Sequence, residues 1–167
     1  WKYKNCIHIN KEANDIFEIK DHSLDAIYSA HNIEHLYPHE VVIALKEFKK
    51  KLKSSGFTLI TCPDLKSVCS VVAQDKFLEP LYRTLRGEMI APIDIIYGKR
   101  NSIEKGSIYM AHKCGFTEKA LISVLHESGF IQVISKTRPL YFDIWALASC
   151  KEWNPEEIKS TAKKLFP

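Results

Sequence analysis

A chain of 167 residues that is 46% hydrophobic and 26% charged has apolar material for one packed domain and is not a low-complexity polymer. No apolar run approaches the ~20 residues of a membrane helix. The stretch Trp1-Lys2-Tyr3-Lys4-Asn5 also lacks the apolar segment of a secretory leader, so a cytoplasmic protein with no membrane partner is expected. The net charge of +4 is carried mainly by lysine and is densest from Lys46 to Lys53, which reads as a solvated helix face rather than a nucleic-acid patch.

In chain order, residues 5–10 read as a short strand with Ile7 and Ile9 on one face, and Asn14 to Lys20 is the segment available for another. Residues 24–29 form a strand entered by the turn Asp21-His22-Ser23. Pro38 suits a first helical turn, and Val41, Leu45, Phe48 and Leu52 then recur as one apolar stripe, predicting a helix over 38–53. Gly56 is expected to end it as a left-handed cap, and 57–62 is the next strand. Residues 64–86 read as largely helical and 87–115 as irregular, together an insertion over a cleft. Thr117 caps a helix that buries Leu121, Val124 and Leu125 and ends at Gly129. Residues 130–136 and 141–149 form an antiparallel pair around Arg138-Pro139, and 151–167 is a helical tail with little apolar surface. The order is that of a single α/β domain over 1–167 with a mixed sheet. The five cysteines, Cys6, Cys62, Cys69, Cys114 and Cys150, form no CxxC pair and read as reduced thiols.

The segment Ser29-Ala30-His31-Asn32-Ile33-Glu34-His35 lies where the first of these strands ends, and ligands of open α/β sheets bind at the carboxyl ends of strands. His31-x-x-Glu34-His35 matches the inverted zincin motif, which needs both histidines on one face of a helix. A strand immediately before it and Pro38 soon after leave no room for that helix, so no metal is expected. Glu34 and His35 read as residues that cap the next helix and tie down the loop, and His31 reads as the better site candidate.

The run Ser23-Leu24-Asp25-Ala26-Ile27-Tyr28-Ser29-Ala30-His31-Asn32-Ile33-Glu34-His35, the helix Leu45 to Gly56 and the sequence Thr61-Cys62-Pro63-Asp64 resemble the class I S-adenosylmethionine-dependent methyltransferases. Within them they are most similar to a small methyltransferase group with the pattern SH-hLEH followed by a strand ending in PD. His112-Lys113-Cys114-Gly115-Phe116-Thr117 and Ser128-Gly129-Phe130 are similar to that group's closing segment. Across residues 5–150 the resemblance implies a Rossmann-like methyltransferase fold, mostly parallel, with a C-terminal antiparallel hairpin. Residues 24–29 would be its fourth strand and 57–62 its fifth. The implied cofactor is S-adenosylmethionine, with Ser29, Ala30, His31 and Asn32 at its methionine–sulfonium part and Asn10 or Glu12 gripping the ribose. His31 and His112 are the candidate bases for an acceptor, a small molecule or saccharide, whose pocket Tyr97, Arg100 and Tyr109 would line.

One departure stands out: no glycine precedes Gly56, so the family's glycine-rich cofactor loop is not within these residues. Two explanations stay open: a chain that begins after strand one, hence a fold incomplete at its N-terminus, or a fold that has outlived its chemistry as an inactive binding or assembly module. An incomplete sheet also favours a homodimer. A nicotinamide-binding protein needs the same missing loop, and nothing else supports it.

Overall fold

The computed structural model describes residues 18–85 and 87–167. The expected strand over 5–10, and residues 14–17 of the segment ending at Lys20, lie outside the described residues. Glu18 to Lys20 form a turn and not a strand.

A four-stranded sheet carries the domain. It contains β1 (Leu24–Ala30), β2 (Leu52–Pro63), β5 (Gln132–Arg138) and β6 (Asp143–Ser149), in the order β1-β2-β6-β5. β1 and β2 are parallel, joined through helix α1 (Pro38–Lys51), and β2, β6 and β5 run antiparallel as neighbours. This mixed sheet with a closing hairpin is the expected architecture. Among the described residues the outer edge of β1 has no strand beside it, and Tyr28 on that strand is half exposed.

α1 forms because Pro38 needs no amide partner in the first turn and because Val41, Ala44, Leu45 and Phe48 share one buried face. Its entry is secured by Glu40, whose Oε2 accepts the Tyr37 N–H at 2.8 Å; the helix is therefore capped by Glu40 and not by Glu34 or His35. The expected end at Gly56 is corrected. The helix gives out at Lys51, Leu52 already pairs with Leu24, and Gly56 lies inside β2 without a positive φ. Glycine is needed there for close approach, since a Cβ would sit 3.0 Å from the Lys53 carbonyl oxygen and 3.1 Å from that of Asp25. The lysine run is not wholly solvated either: Lys51 is buried and places its Nζ 2.7 Å from Asp21 Oδ1.

Residues 64–115 are more ordered and less helical than expected. After α2 (Leu65–Val72), Asp75 turns the chain with φ 62°. A minimal hairpin of β3 (Tyr82–Arg83) and β4 (Met89–Ile90) follows, then α3 (Pro92–Tyr97), α4 (Arg100–Glu104) and a 3-10 turn over Ile108–Met110. This unit has its own small core of Val68, Ile90 and Ile95. α5 (Glu118–Glu127) starts where the Thr117 hydroxyl accepts the Ala120 N–H and stops at Gly129, which has φ 91°.

The period-two alternation of β2 and β6 divides the apolar side chains between two faces. Ile60, Cys62, Ile144, Ala146 and Ala148 face α1 and α5 in the main core. Leu59, Trp145 and Leu147 face the opposite way, onto Trp153 and Ile158. The tail is thus corrected: α6 (Pro155–Leu165), capped by Asn154 Oδ1 on the Glu156 N–H, packs on the sheet through Ile158, Leu165 and Phe166. None of the helices among the described residues is long and apolar enough to cross a membrane. The described cysteines, Cys62, Cys69, Cys114 and Cys150, are all unbonded thiols.

Candidate active site

The site begins where β1 stops. Ser29 is buried, Ala30 exposed, and His31 turns the chain out of the sheet with φ 47°, while its N–H still reaches the Thr61 carbonyl at 2.9 Å. A left-handed conformation at a non-glycine residue is held only where surrounding contacts enforce it. Here they follow at once. Residues Ile33–His35 form a 3-10 turn whose Ile33 is fully buried in the main core, which draws Glu34 inward as well.

Eighty residues further on, the chain returns to this turn. The Glu34 carbonyl accepts the N–H groups of Lys113 and Cys114 at 2.8 and 3.2 Å, and Cys114 Sγ donates to the Ile33 carbonyl at 3.4 Å. His35 donates from Nδ1 to the Ala111 carbonyl at 3.2 Å, and His112 from Nδ1 to the Ile95 carbonyl at 2.8 Å. The His112 N–H also bonds the Tyr97 carbonyl, and Gly98 bridges to Ala111. The rings of His35 and His112 meet edge to face with centroids 4.8 Å apart. The structure thus joins His112 to the histidine turn, which its position in the chain did not disclose.

His31 Nδ1 lies 3.3 Å from Oε1 of Glu34, whose side chain is 1% exposed while that of His31 is 57% exposed. Pairing with Glu34 raises the His31 pKa above its ordinary value, against the opposing effect of burial. Burial lowers that of His112, only partly offset by the Glu34 charge. Burial also pushes the Cys114 thiol up to about 11 and that of Cys62 well above the ordinary range, so both are inert as nucleophiles at neutral pH.

Ser29, Ala30, His31 and Asn32 therefore sit together at the strand end. Asn10 and Glu12 lie outside the described residues. Tyr97 and Tyr109 are exposed by 60% and 73%, free to meet a bound molecule, but Arg100 is turned away to a two-pronged pair with Asp94. Sequence reasoning missed the role of Glu34. The available signal was an acidic residue between Ile33 and Leu36, two positions that both bury. A shallow polar depression by Asp64, Ser67, Thr117 and Thr137 lies at the end of β2, apart from residues 29–32.

A cofactor laid across these strand ends needs a small exposed residue after the strand and a polar wall opposite. Ala30 and the exposed His31 fit the first requirement. The described residues line that one side.

The strand order, the parallel β1–α1–β2 unit and the antiparallel close define the class I, S-adenosylmethionine-dependent methyltransferase fold. The methyltransferase domain family model matches residues 2–60. The chain is similar to an S-adenosylmethionine-dependent methyltransferase of Archaeoglobus fulgidus (TM-score 0.52, 15% identity, 84% of this chain and 66% of that one). It is similar also to a protein of Pyrococcus horikoshii (0.54, 12%, 84% and 57%) and to an O-methyltransferase family protein of Burkholderia thailandensis (0.50, 10%, 84% and 34%). The chain thus spans less than two thirds of the length of each. No curated protein matches the sequence. The fold is thus that of the class I methyltransferases, and the methyltransferase domain model matches the N-terminal third of the chain.

Proposed function

We propose that this domain takes part in methyl transfer from S-adenosylmethionine to a hydroxyl or amine of a small-molecule or saccharide acceptor, with His31 as the general base. The observation that carries the proposal is the His31–Glu34 pair at the end of β1. Glu34 is buried beneath an exposed imidazole, with its Oε1 3.3 Å from Nδ1, and the paired ring presents Nε2 to take a proton from an acceptor. The cofactor would supply an already activated methyl group. The protein's part is then to align the acceptor and remove its proton. His112, with Nδ1 committed to Ile95 and a ring packed on His35, is suited to hold the pocket wall in place rather than to act as the base. Ser29, Ala30, His31 and Asn32 would form the wall at the sulfonium, and Asn10 or Glu12 the ribose contact.

A second reading is a fold that binds or assembles but does not catalyse; the absence of any glycine before Gly56 fits it as well as it fits a chain that begins after strand one. Titration calorimetry with S-adenosylmethionine and S-adenosylhomocysteine separates the two. No heat at millimolar ligand would remove the catalytic reading for this chain. If binding is found, His31→Ala should lower turnover roughly 10²-fold or more, as expected for loss of a general base.

A further inference from the structure

We propose that Glu34, His35 and His112 form a binding site for a divalent transition-metal ion of the zinc class. The residues are not those of the zincin motif, because the place of His31 is taken by His112, which lies 81 positions later in the chain. One donor atom from each of the three lies within 4.8 Å of the others.

The protonation pattern of the cluster is the first argument. A carbonyl oxygen only accepts, so Nδ1 of His35, bonded to Ala111, and Nδ1 of His112, bonded to Ile95, must both carry hydrogen. In the neutral rings Nε2 is then a bare lone pair. Fixing the tautomer through a backbone carbonyl is how metal-binding histidines are commonly oriented. The third member is a carboxylate. The cluster therefore brings a buried carboxylate within reach of two imidazoles, a ligand set suited to a divalent cation.

Glu34 supplies the second, independent argument. Its side chain is 1% exposed, and neither oxygen accepts a hydrogen bond among the described residues. The imidazole of His31 approaches Oε1 only, which leaves Oε2 without a partner. An unsatisfied buried carboxylate is among the most costly features of a folded chain, and native structures rarely keep one without a compensating ion or water.

The site is also held in place by backbone. The Lys113 and Cys114 amides on the Glu34 carbonyl, and the Gly98–Ala111 bridge behind them, fix the His112 segment against the turn before any ion arrives. Tetrahedral zinc with bonds of ~2.0–2.2 Å places its donors about 3.4 Å apart. Two imidazoles and a carboxylate match the ligand set of open zinc sites, which keep a fourth position for water or a substrate oxygen. Cys114 Sγ, engaged with the Ile33 carbonyl, is not counted among the ligands.

The test uses the full chain, stripped with chelator and titrated with zinc chloride by calorimetry and with cobalt chloride by visible absorption, without S-adenosylmethionine. One equivalent of Co²⁺ should give the d–d bands of a tetrahedral nitrogen–oxygen site, and Zn²⁺ should displace it and raise the melting temperature. His112→Phe and Glu34→Gln should each weaken Zn²⁺ at least 10-fold, whereas His31→Ala and the surface change His39→Ala should not. Circular dichroism of each variant separates loss of a ligand from loss of the fold, and Glu34→Gln, of equal shape, covers the case in which His112→Phe does not fold. No stoichiometric binding, or binding that fails in His31→Ala but survives in His112→Phe, would overturn the proposal. Since the readout is metal alone, its failure leaves the methyl-transfer reading untouched, and the reverse holds as well.

Discussion

Gly98→Ala tests how His112 is delivered to the site. Gly98 has φ 94°, and a Cβ placed on it would lie 2.1 Å from the Met110 carbonyl oxygen and 2.9 Å from the Ala111 Cα. Both are backbone atoms that cannot rotate aside. The disfavoured φ costs about 1–3 kcal/mol. Overpacking adds a further ~1–3 kcal/mol, so about 3 kcal/mol in total is a conservative figure. The least costly response is to break the Gly98–Ala111 bridge and let residues 108–113 lift away from Tyr97, Glu34 and the two histidine ring bonds to Ala111 and Ile95. Hydrogen exchange reads that opening directly. The His112 amide, bonded to Tyr97, and the Lys113 amide, bonded to Glu34, should exchange roughly 100-fold faster, as 3 kcal/mol at about 1.4 per decade requires, while amides of β2 and β6 keep their protection. Wild-type protection at both amides, with an unchanged melting temperature, would refute the claim that a close approach at Gly98 fixes this segment.

Leu45→Ala removes a fully buried side chain from the centre of the main core and should cost ~2–5 kcal/mol, lowering the melting temperature by roughly 4–20 °C in a thermal scan. Ile158→Asp places a carboxylate against Trp145 and Trp153; the tail should leave the sheet, shifting tryptophan emission to the red while the main core stays folded. Asp94 sets an acid limit on the insertion. Burial pushes its carboxyl up, but the Arg100 guanidinium and the Ala91 and Arg100 amides outweigh this and hold it below the ordinary value. Its contribution is therefore complete above the unfolded pKa of about 3.9 and is lost as pH falls through the lower folded value. Protease nicking within residues 87–104 should rise below pH ~4 in the wild type and already be high at pH 7 in Asp94→Ala.

What the sequence disclosed follows from which physical signals are local. Strand alternation, the α1 stripe, the Thr117 cap and the Gly129 stop each depend on neighbours within a few residues, so β1, α1, β2, α5 and the closing hairpin were legible. Gly56 was misread because its residue type signals both a left-handed cap and a close approach, and only the pairing of Leu24 with Leu52 decides which. The tail was misjudged for a related reason. Ile158, Leu165 and Phe166 are few, but with Trp153 they pack onto Trp145 and Leu147 of the sheet. The insertion was hardest, since its short elements are set by Pro92, Gly98 and side-chain bonds such as Asp94–Arg100 rather than by periodicity.

The histidine turn shows where such reading stops. A five-residue pattern discloses that His31, Glu34 and His35 are neighbours in the chain, and the strand before them correctly excludes the zincin helix. It does not disclose that Ile33 fills the core and so carries Glu34 out of solvent, because that depends on α1 and α5 closing over the same face. Nor does it show that the chain returns at 111–114 with its amides aimed at Glu34. Once it does, a carboxylate buried for packing reasons faces two imidazoles whose tautomers are set by backbone carbonyls. The chemistry of the turn therefore depends on the insertion, and changes at Gly98 or Asp94, which touch no reacting group, should act through the placement of His112.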